Sequence, residues 1–175
     1  MNEAVSPPPR KKNYAWAWYF AFLVIASVGA MVFMIWYNNL MQLKPEELAA
    51  AKRRWQEANI KNYDMIYLEK HNEDKSTKFA VKVRNGKVQD VLMNGKPLEK
   101  SEERADDPRI YHSMDSMYRN IDRFMDLDQK PKATPVYVTL KWDEKNGAVI
   151  EYIRRVMGTR QRVQIVVEKF VPVEN

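Results

Sequence analysis

The chain has 175 residues, and its 29 lysines and arginines outnumber its 23 aspartates and glutamates, giving a formal net charge of +6. It contains no cysteine and two histidines. These counts exclude disulfides, thiolate catalysis and cysteine-built zinc sites, and they leave little material for a histidine-based metal centre.

Residues 1–13 form a short polar segment that includes the run Pro7-Pro8-Pro9. A segment with so few apolar residues cannot bury enough surface to fold. We therefore expect a disordered tail, in which the prolines act as a spacer because no further proline repeat follows.

Residues 14–37 form a run of 24 residues without a single charge. About 20 apolar residues are enough to cross a bilayer as a helix, and this run predicts one transmembrane helix. Aromatic side chains, which favour the headgroup boundary, stand at both ends of the run. The predicted membrane-anchor residues are Tyr14, Trp16, Trp18, Trp36 and Tyr37.

Charges around the run predict its orientation. Arg10, Lys11 and Lys12 precede it, whereas no cation follows until Lys44. By the positive-inside rule, the N-terminus is expected in the cytoplasm and the remainder in the periplasm, on the outer side of the cell membrane. The apolar run continues beyond the small residues 28–30, which favours a retained signal anchor over a cleaved signal peptide.

A linker over residues 38–44 is expected to lead into an extracytoplasmic domain over residues 45–175. Pro45 suits the first turn of a helix that runs to Ala58, and Asn85-Gly86 is typical of a tight hairpin turn. Pro97 is expected to end regular strand pairing after the third strand. The predicted strands cover residues 62–70, 77–84, 87–93, 136–142, 148–155 and 160–171.

A second helix is predicted from a Ser113 cap to about Leu127, and its methionine-rich face is expected to pack on the sheet. The fold class is therefore α+β, in the order α-β-β-β-α-β-β-β. About six antiparallel strands are expected, with both helices on one face. The predicted core consists of Trp55, Phe79, Val81, Val83, Tyr118, Ile121, Phe124, Val138, Leu140 and Trp142.

Few residues suggest chemistry. His112, Ser113 and Asp115 are close in sequence, but Ser113 is needed as a helix cap, and His71 lies in a polar turn. Residues 99–109 are predicted to form a charged loop that lacks the glycine of a calcium loop and intersperses cations among its acids. The sequence predicts no catalytic residue, no cofactor-binding residue and no metal ligand. The acidic residues considered as ligands for a hard cation are Glu102, Glu103, Asp106, Asp107 and those of the turn 143–147.

Several segments resemble, in their order and spacing, an uncharacterised family of bacterial envelope domains that are secreted or lipoprotein-like. These segments are Trp55 in its helix and residues 59–64, 83–88, 114–126 and 138–152. The resemblance implies an envelope location and carries no activity. The chain departs from that pattern in lacking cysteine and in having an uncleaved anchor in place of a lipid.

Two functions from different classes remain open. The first is a membrane-anchored, non-catalytic domain that binds a partner or serves as an accessory subunit of a membrane complex. The alternative is an envelope enzyme or small-ligand receptor with its site between sheet and helices. The expected partners are the lipid bilayer and another membrane or envelope protein. A second copy is an alternative partner because Ala17/Ala21 and Ala26/Ala30 would let helices approach. Nucleic acid is not expected, because the charges are interspersed.

Overall fold

The computed structural model describes residues 14–72, 74–99 and 107–173. The predicted tail and most of the predicted charged loop, including Glu102, Glu103 and Asp106, lie outside these ranges. The chain divides into two compact units, of which one ends at Met41 and the other begins at Gln42.

The first unit is the helix α1, Ala15–Leu40. Its 26 residues carry no charge and none of them is buried. At a rise of about 1.5 Å per residue the helix is about 39 Å long. Among the described residues, α1 supplies the one helix that is long and apolar enough to cross a membrane.

The second unit combines two helices, a 3-10 turn and one antiparallel sheet, which confirms the predicted α+β class and the order of its elements. The strands lie in the order β4-β3-β2-β1-β7-β6-β5. The elements are α2 Pro45–Ala58, β1 Tyr63–His71, β2 Thr77–Arg84, β3 Lys87–Met93, β4 Lys96–Pro97, a 3-10 helix Pro108–His112, α3 Met114–Asp128, β5 Val136–Trp142, β6 Val149–Val156 and β7 Arg162–Pro172.

Two sequence expectations need correction. The sheet has seven strands rather than about six, because Pro97 pairs with Leu92 in the short strand β4 instead of ending the pairing. Proline is tolerated there because an edge strand has no outer neighbour that needs its missing N–H. Arg109 belongs to the 3-10 helix and not to a loop, since the Asp107 carboxylate accepts a hydrogen bond from the Arg109 backbone N–H and caps that helix.

The predicted hairpin between β2 and β3 is present. Asn85 and Gly86 have φ values of 52° and 73°, as a tight turn between right-twisted strands requires. The centre of the sheet is formed by β1, which pairs with β2 on one side and with β7 on the other. The first and last long strands of the domain are thus neighbours, and the sheet is continuous across both halves of the chain.

One face of this sheet carries the core. Inward residues alternate along β1, where Tyr63, Met65 and Tyr67 are each at most 2% exposed. The methionine-rich face of α3 is part of the same core, which confirms that it packs on the sheet. The predicted core members Phe124, Leu140 and Trp142 are only partly buried, whereas the other seven are buried.

Candidate functional site

The predicted anchor residues stand at the two ends of α1. Tyr14 is its N-cap, and Trp16 and Trp18 follow in the first turn. Trp36 and Tyr37 lie near the other end, and all five side chains are between 48% and 77% exposed. Trp16 and Trp36 are 20 residues apart in the helix. That spacing corresponds to about 30 Å, the thickness of a bilayer's hydrocarbon core.

Gln42 and Leu43, at the start of the second unit, are bound to the edge strand β5. The Leu43 N–H donates to the Val138 carbonyl oxygen at 2.8 Å. The Gln42 side chain donates to the carbonyl oxygen of Val136 at 3.3 Å and accepts from the Val138 N–H at 3.2 Å. Of the predicted linker 38–44, residues 38–40 are therefore helical and residues 42–43 cover the polar backbone of a sheet edge.

A small cavity of about 120 Å³ lies between α3 and β5, next to Gln42. Its lining is mostly apolar and includes Ile121, Val138 and Tyr152. Sites for small molecules usually measure about 300 Å³ or more. The space between sheet and helix is therefore small for the predicted alternative of a ligand site there.

A largely buried ion pair borders this cavity. Asp128 and Arg154 make a two-pronged contact, with Nε–Oδ2 and Nη2–Oδ1 distances of 2.8 and 2.5 Å. Their side chains are only 11% and 15% exposed. The hydrogen bond to Asp128 raises the pKa of Arg154. The guanidinium also lies 4.9 Å from the ring centroid of Phe124, a favourable cation–π distance.

The opposite face of the sheet has a shallow groove of about 250 Å³. Its floor is apolar, with Ile66, Ala80 and Leu92 half-buried. Charged side chains line its rim, so the groove is apolar in the centre and polar around it. The rim residues are Asp64, Lys82, Asp90 and Lys169.

His112 is paired with a buried tyrosine. A 2.5 Å hydrogen bond joins the Tyr67 hydroxyl to His112 Nδ1, and the Phe79 ring centroid lies 4.6 Å from the imidazole. Burial raises the pKa of Tyr67 and lowers that of His112, so both groups are neutral near pH 7.

The two candidates that neighbour His112 in sequence, Ser113 and Asp115, have partners of their own. Ser113 caps α3, as predicted, with its Oγ accepting from the Ser116 N–H at 3.1 Å. Asp115 accepts from the indole N–H of Trp55 at 2.9 Å. Their closeness in sequence does not bring them together as a nucleophile, base and acid. Sequence reasoning missed the partners of His112 and Asp115 because they lie 45 and 60 residues away.

Within the described ranges, no group of three or more histidine, aspartate or glutamate side chains could hold a metal ion. Asp107 is bound to Arg109. Asp143 closes the predicted hairpin turn, since its carbonyl oxygen accepts from the Gly147 N–H at 2.6 Å. His71 is exposed and contacts Glu69 at 2.8 Å.

A search of curated proteins found no match to the chain. One family model, described as "Family of unknown function (DUF6174)", matches residues 47–151. The matched region begins in α2 and ends within β6, and it covers more than half of the chain. The predicted relation to an uncharacterised family is thereby confirmed, and the chain belongs to the family of unknown function DUF6174.

Proposed function

We propose that the chain is a single-pass membrane protein in which α1 anchors an extracytoplasmic domain with a non-catalytic binding or accessory role in a membrane complex. The observation that carries the anchor is the exposure of α1. Each of its large apolar side chains, from Trp16 to Leu40, is at least 43% exposed. Burying apolar surface stabilises by about 25 cal/mol per Å², so an uncharged helix of this length favours a bilayer strongly over water.

Alkaline carbonate extraction of native membranes tests the anchor. We expect the full chain to remain with the lipid pellet. A matched variant with two charges inside the span, Val24→Lys and Val28→Lys, is expected to shift to the supernatant. Recovery of the unmodified chain in the supernatant would contradict the anchor.

The orientation rests on Arg10, Lys11 and Lys12 before the helix. We propose that the N-terminus is cytoplasmic and that the domain lies outside the cytoplasmic membrane, in the periplasm. With a tag at each end, protease added to spheroplasts should remove the C-terminal tag and spare the N-terminal tag. The reverse pattern would place the domain in the cytoplasm.

The binding role is supported by the partners of the polar candidates. His112, Ser113 and Asp115 each serve a structural contact, and the space between sheet and helix is about 120 Å³. An envelope enzyme or small-ligand receptor is the alternative. A small ligand could bind there only if this cavity became larger.

Mild detergent extraction with chemical crosslinking separates the two roles. We expect the native chain to be recovered with a membrane or envelope companion or with a second copy. A chimera in which an unrelated apolar helix replaces α1 identifies the part of the chain that binds the companion. If the chimera is recovered with the same companion, the domain makes that contact. A monomer without a companion before and after crosslinking would contradict the accessory role.

A further inference from the structure

Two loops meet at one end of the sheet, where β5 begins. The Met157 N–H donates to the carbonyl oxygen of Pro135 at 2.8 Å, and Val136 is paired with Val156. Residues 129–135 and residues 157–161 therefore lie side by side. We call this surface, with Arg155 beside it, the basic end of the domain.

The basic end has an excess of free positive charge. Lys130, Lys132, Arg155 and Arg160 are exposed, and within the described ranges none of them forms an ion pair with a carboxylate. Among the residues that the structure describes here, Asp128 is already bound to Arg154. The exposed acids among them are Asp74, which shares a hollow with Arg160, and Asp126 on α3.

Large apolar side chains are also exposed here. Met157 belongs to the basic end and is 50% exposed, and Leu127, in the last turn of α3 that leads into residues 129–135, is 41% exposed. Exposed apolar side chains surrounded by cations are typical of surfaces that contact the headgroup region of a bilayer. The opposite end of the sheet has its turns at Asn85-Gly86 and at residues 143–147.

The backbone leads from the anchor to the start of β5 within a few residues. Gln42 is hydrogen-bonded to Val136 and Val138, at the start of β5. Only Met41 lies between Gln42 and the last residue of α1, Leu40. Consecutive Cα atoms are about 3.8 Å apart, so Gln42 lies within about 8 Å of the end of α1.

We propose that the basic end binds the anionic phospholipid headgroups of the bilayer in which α1 is anchored. The cations pair with lipid phosphates, and Met157 and Leu127 enter the headgroup layer. This inference rests on the proposed function, since it requires α1 to be the anchor. Its consequence is a domain held against the membrane by a second contact, so that lipid composition controls which faces a partner can reach.

The experiment uses the full chain reconstituted into vesicles of phosphatidylcholine, with or without phosphatidylglycerol. Because the chain has no cysteine, Met157→Cys provides a single position for an environment-sensitive fluorophore. Lys145→Cys, in the turn at the other end of the sheet, is the control position. We expect a blue shift and quenching by lipid-borne quencher at position 157 only, and only with phosphatidylglycerol.

Two charge variants make the test specific. The first is a triple variant of the Met157→Cys chain, which is expected to lose the response to phosphatidylglycerol. Its substitutions are Lys130→Gln, Lys132→Gln and Arg160→Gln. The matched control removes three charges from the opposite end of the same labelled chain, through Lys61→Gln, Lys87→Gln and Lys145→Gln. This variant should keep at least four-fifths of the response. Raising the salt concentration should weaken the response, because exposed charges are screened.

Equal emission at position 157 in both kinds of vesicle would overturn the inference, as would equal losses in the two triple variants. Retention of the protein in carbonate-washed vesicles is measured in the same samples. Retention without a response to phosphatidylglycerol refutes lipid binding by the basic end and leaves the anchor intact. Loss of retention refutes the anchor and, with it, the inference that depends on it.

Discussion

The Tyr118 hydroxyl donates a 2.5 Å hydrogen bond to the carbonyl oxygen of Gly147, which joins α3 to the turn between β5 and β6. The same glycine lies against α2. A side chain on Gly147 would place its Cβ 2.3 Å from the backbone nitrogen of Trp55 and 2.6 Å from the Ala51 carbonyl oxygen. One position thus brings both helices and the sheet together.

We predict that Gly147→Ala destabilises the domain severely. The substitution combines strain at a φ of +75° with a clash against backbone atoms, which cannot move aside as a flexible side chain would. We expect a loss of about 3 kcal/mol or more in the free energy of unfolding. Denaturant unfolding of the full chain in detergent, followed by tryptophan fluorescence, measures this loss.

Gly86→Ala is the matched control, because Gly86 has a φ of +73° and open space around its Cα. Strain alone is expected to cost about 1–2 kcal/mol there. Equal losses in the two variants would contradict the packing role of Gly147.

The local elements could be predicted from the sequence, since turn residues and alternation determine them. The bounds of α2, β2, β3 and β5 agree with prediction to the residue. Long-range pairing could not be predicted in this way. Nothing local to β1 shows that it pairs with β7, about 100 residues later, and the two-residue strand β4 is too short to give a periodic pattern.

The ion pair between Asp128 and Arg154 provides a second prediction. Asp128→Asn leaves a nearly buried guanidinium without its counter-charge, and we expect a loss of about 3 kcal/mol in the free energy of unfolding. Replacing both residues, Asp128→Leu with Arg154→Met, should recover at least half of that loss because no charge remains to be solvated. Denaturant unfolding of the Asp128→Asn variant and of the double variant measures both values, and a double variant less stable than Asp128→Asn would contradict this account.

Protonation of His112 should make the fold sensitive to acid. Burial lowers its pKa from the ordinary value of 6.5, so the unfolded chain binds the proton more readily than the folded chain. The stabilisation is fully present above about pH 6.5 and is lost as the pH falls below that value. Urea unfolding at pH 7 and pH 5 should show a smaller decrease for His112→Gln than for the unmodified chain. His71→Gln, at an exposed histidine, is the control. An equal reduction of the pH-dependent loss of stability in this variant would contradict the assignment to His112.

Ile121 tests whether the core depends on α3. Its side chain is 2% exposed beneath the sheet face. Ile121→Asp would bury an unpaired carboxylate, and we expect the domain to lose about 4 kcal/mol or to fail to fold. Lys87→Asp, at an exposed position, should change the free energy of unfolding by less than about 0.5 kcal/mol. Comparable proteolysis of the two variants would contradict this assignment of the core.

Gln42→Ala should weaken the cover over β5. The substitution removes two hydrogen bonds to backbone groups of an edge strand, and we expect a loss of about 1–2 kcal/mol. Amide hydrogen exchange at Val138, whose N–H donates to Gln42, should quicken at least tenfold. The same substitution at exposed Gln129 is the control and should leave that rate unchanged.

For the candidate sites, as for the fold, local features could be predicted from the sequence and long-range contacts could not. The aromatic residues at the ends of α1 and the Ser113 cap could be predicted because their patterns are local. The contact of Gln42 with β5 could not be predicted, because Gln42 is 94 residues from Val136. No local sequence pattern indicates that a side chain will hydrogen-bond the backbone of a distant edge strand. The pairing of Tyr67 with His112 is similarly a product of packing between β1 and the 3-10 helix.

The bond between Leu43 and Val138 also makes the domain mechanically responsive. A pull along the chain from α1 reaches the sheet through the backbone of Leu43, with only Met41 and Gln42 in between. The load falls first on the three hydrogen bonds by which Gln42 and Leu43 are attached to β5. Tension on the membrane helix would therefore release these two residues from the edge strand before it disturbed the pairing of β5 with β6.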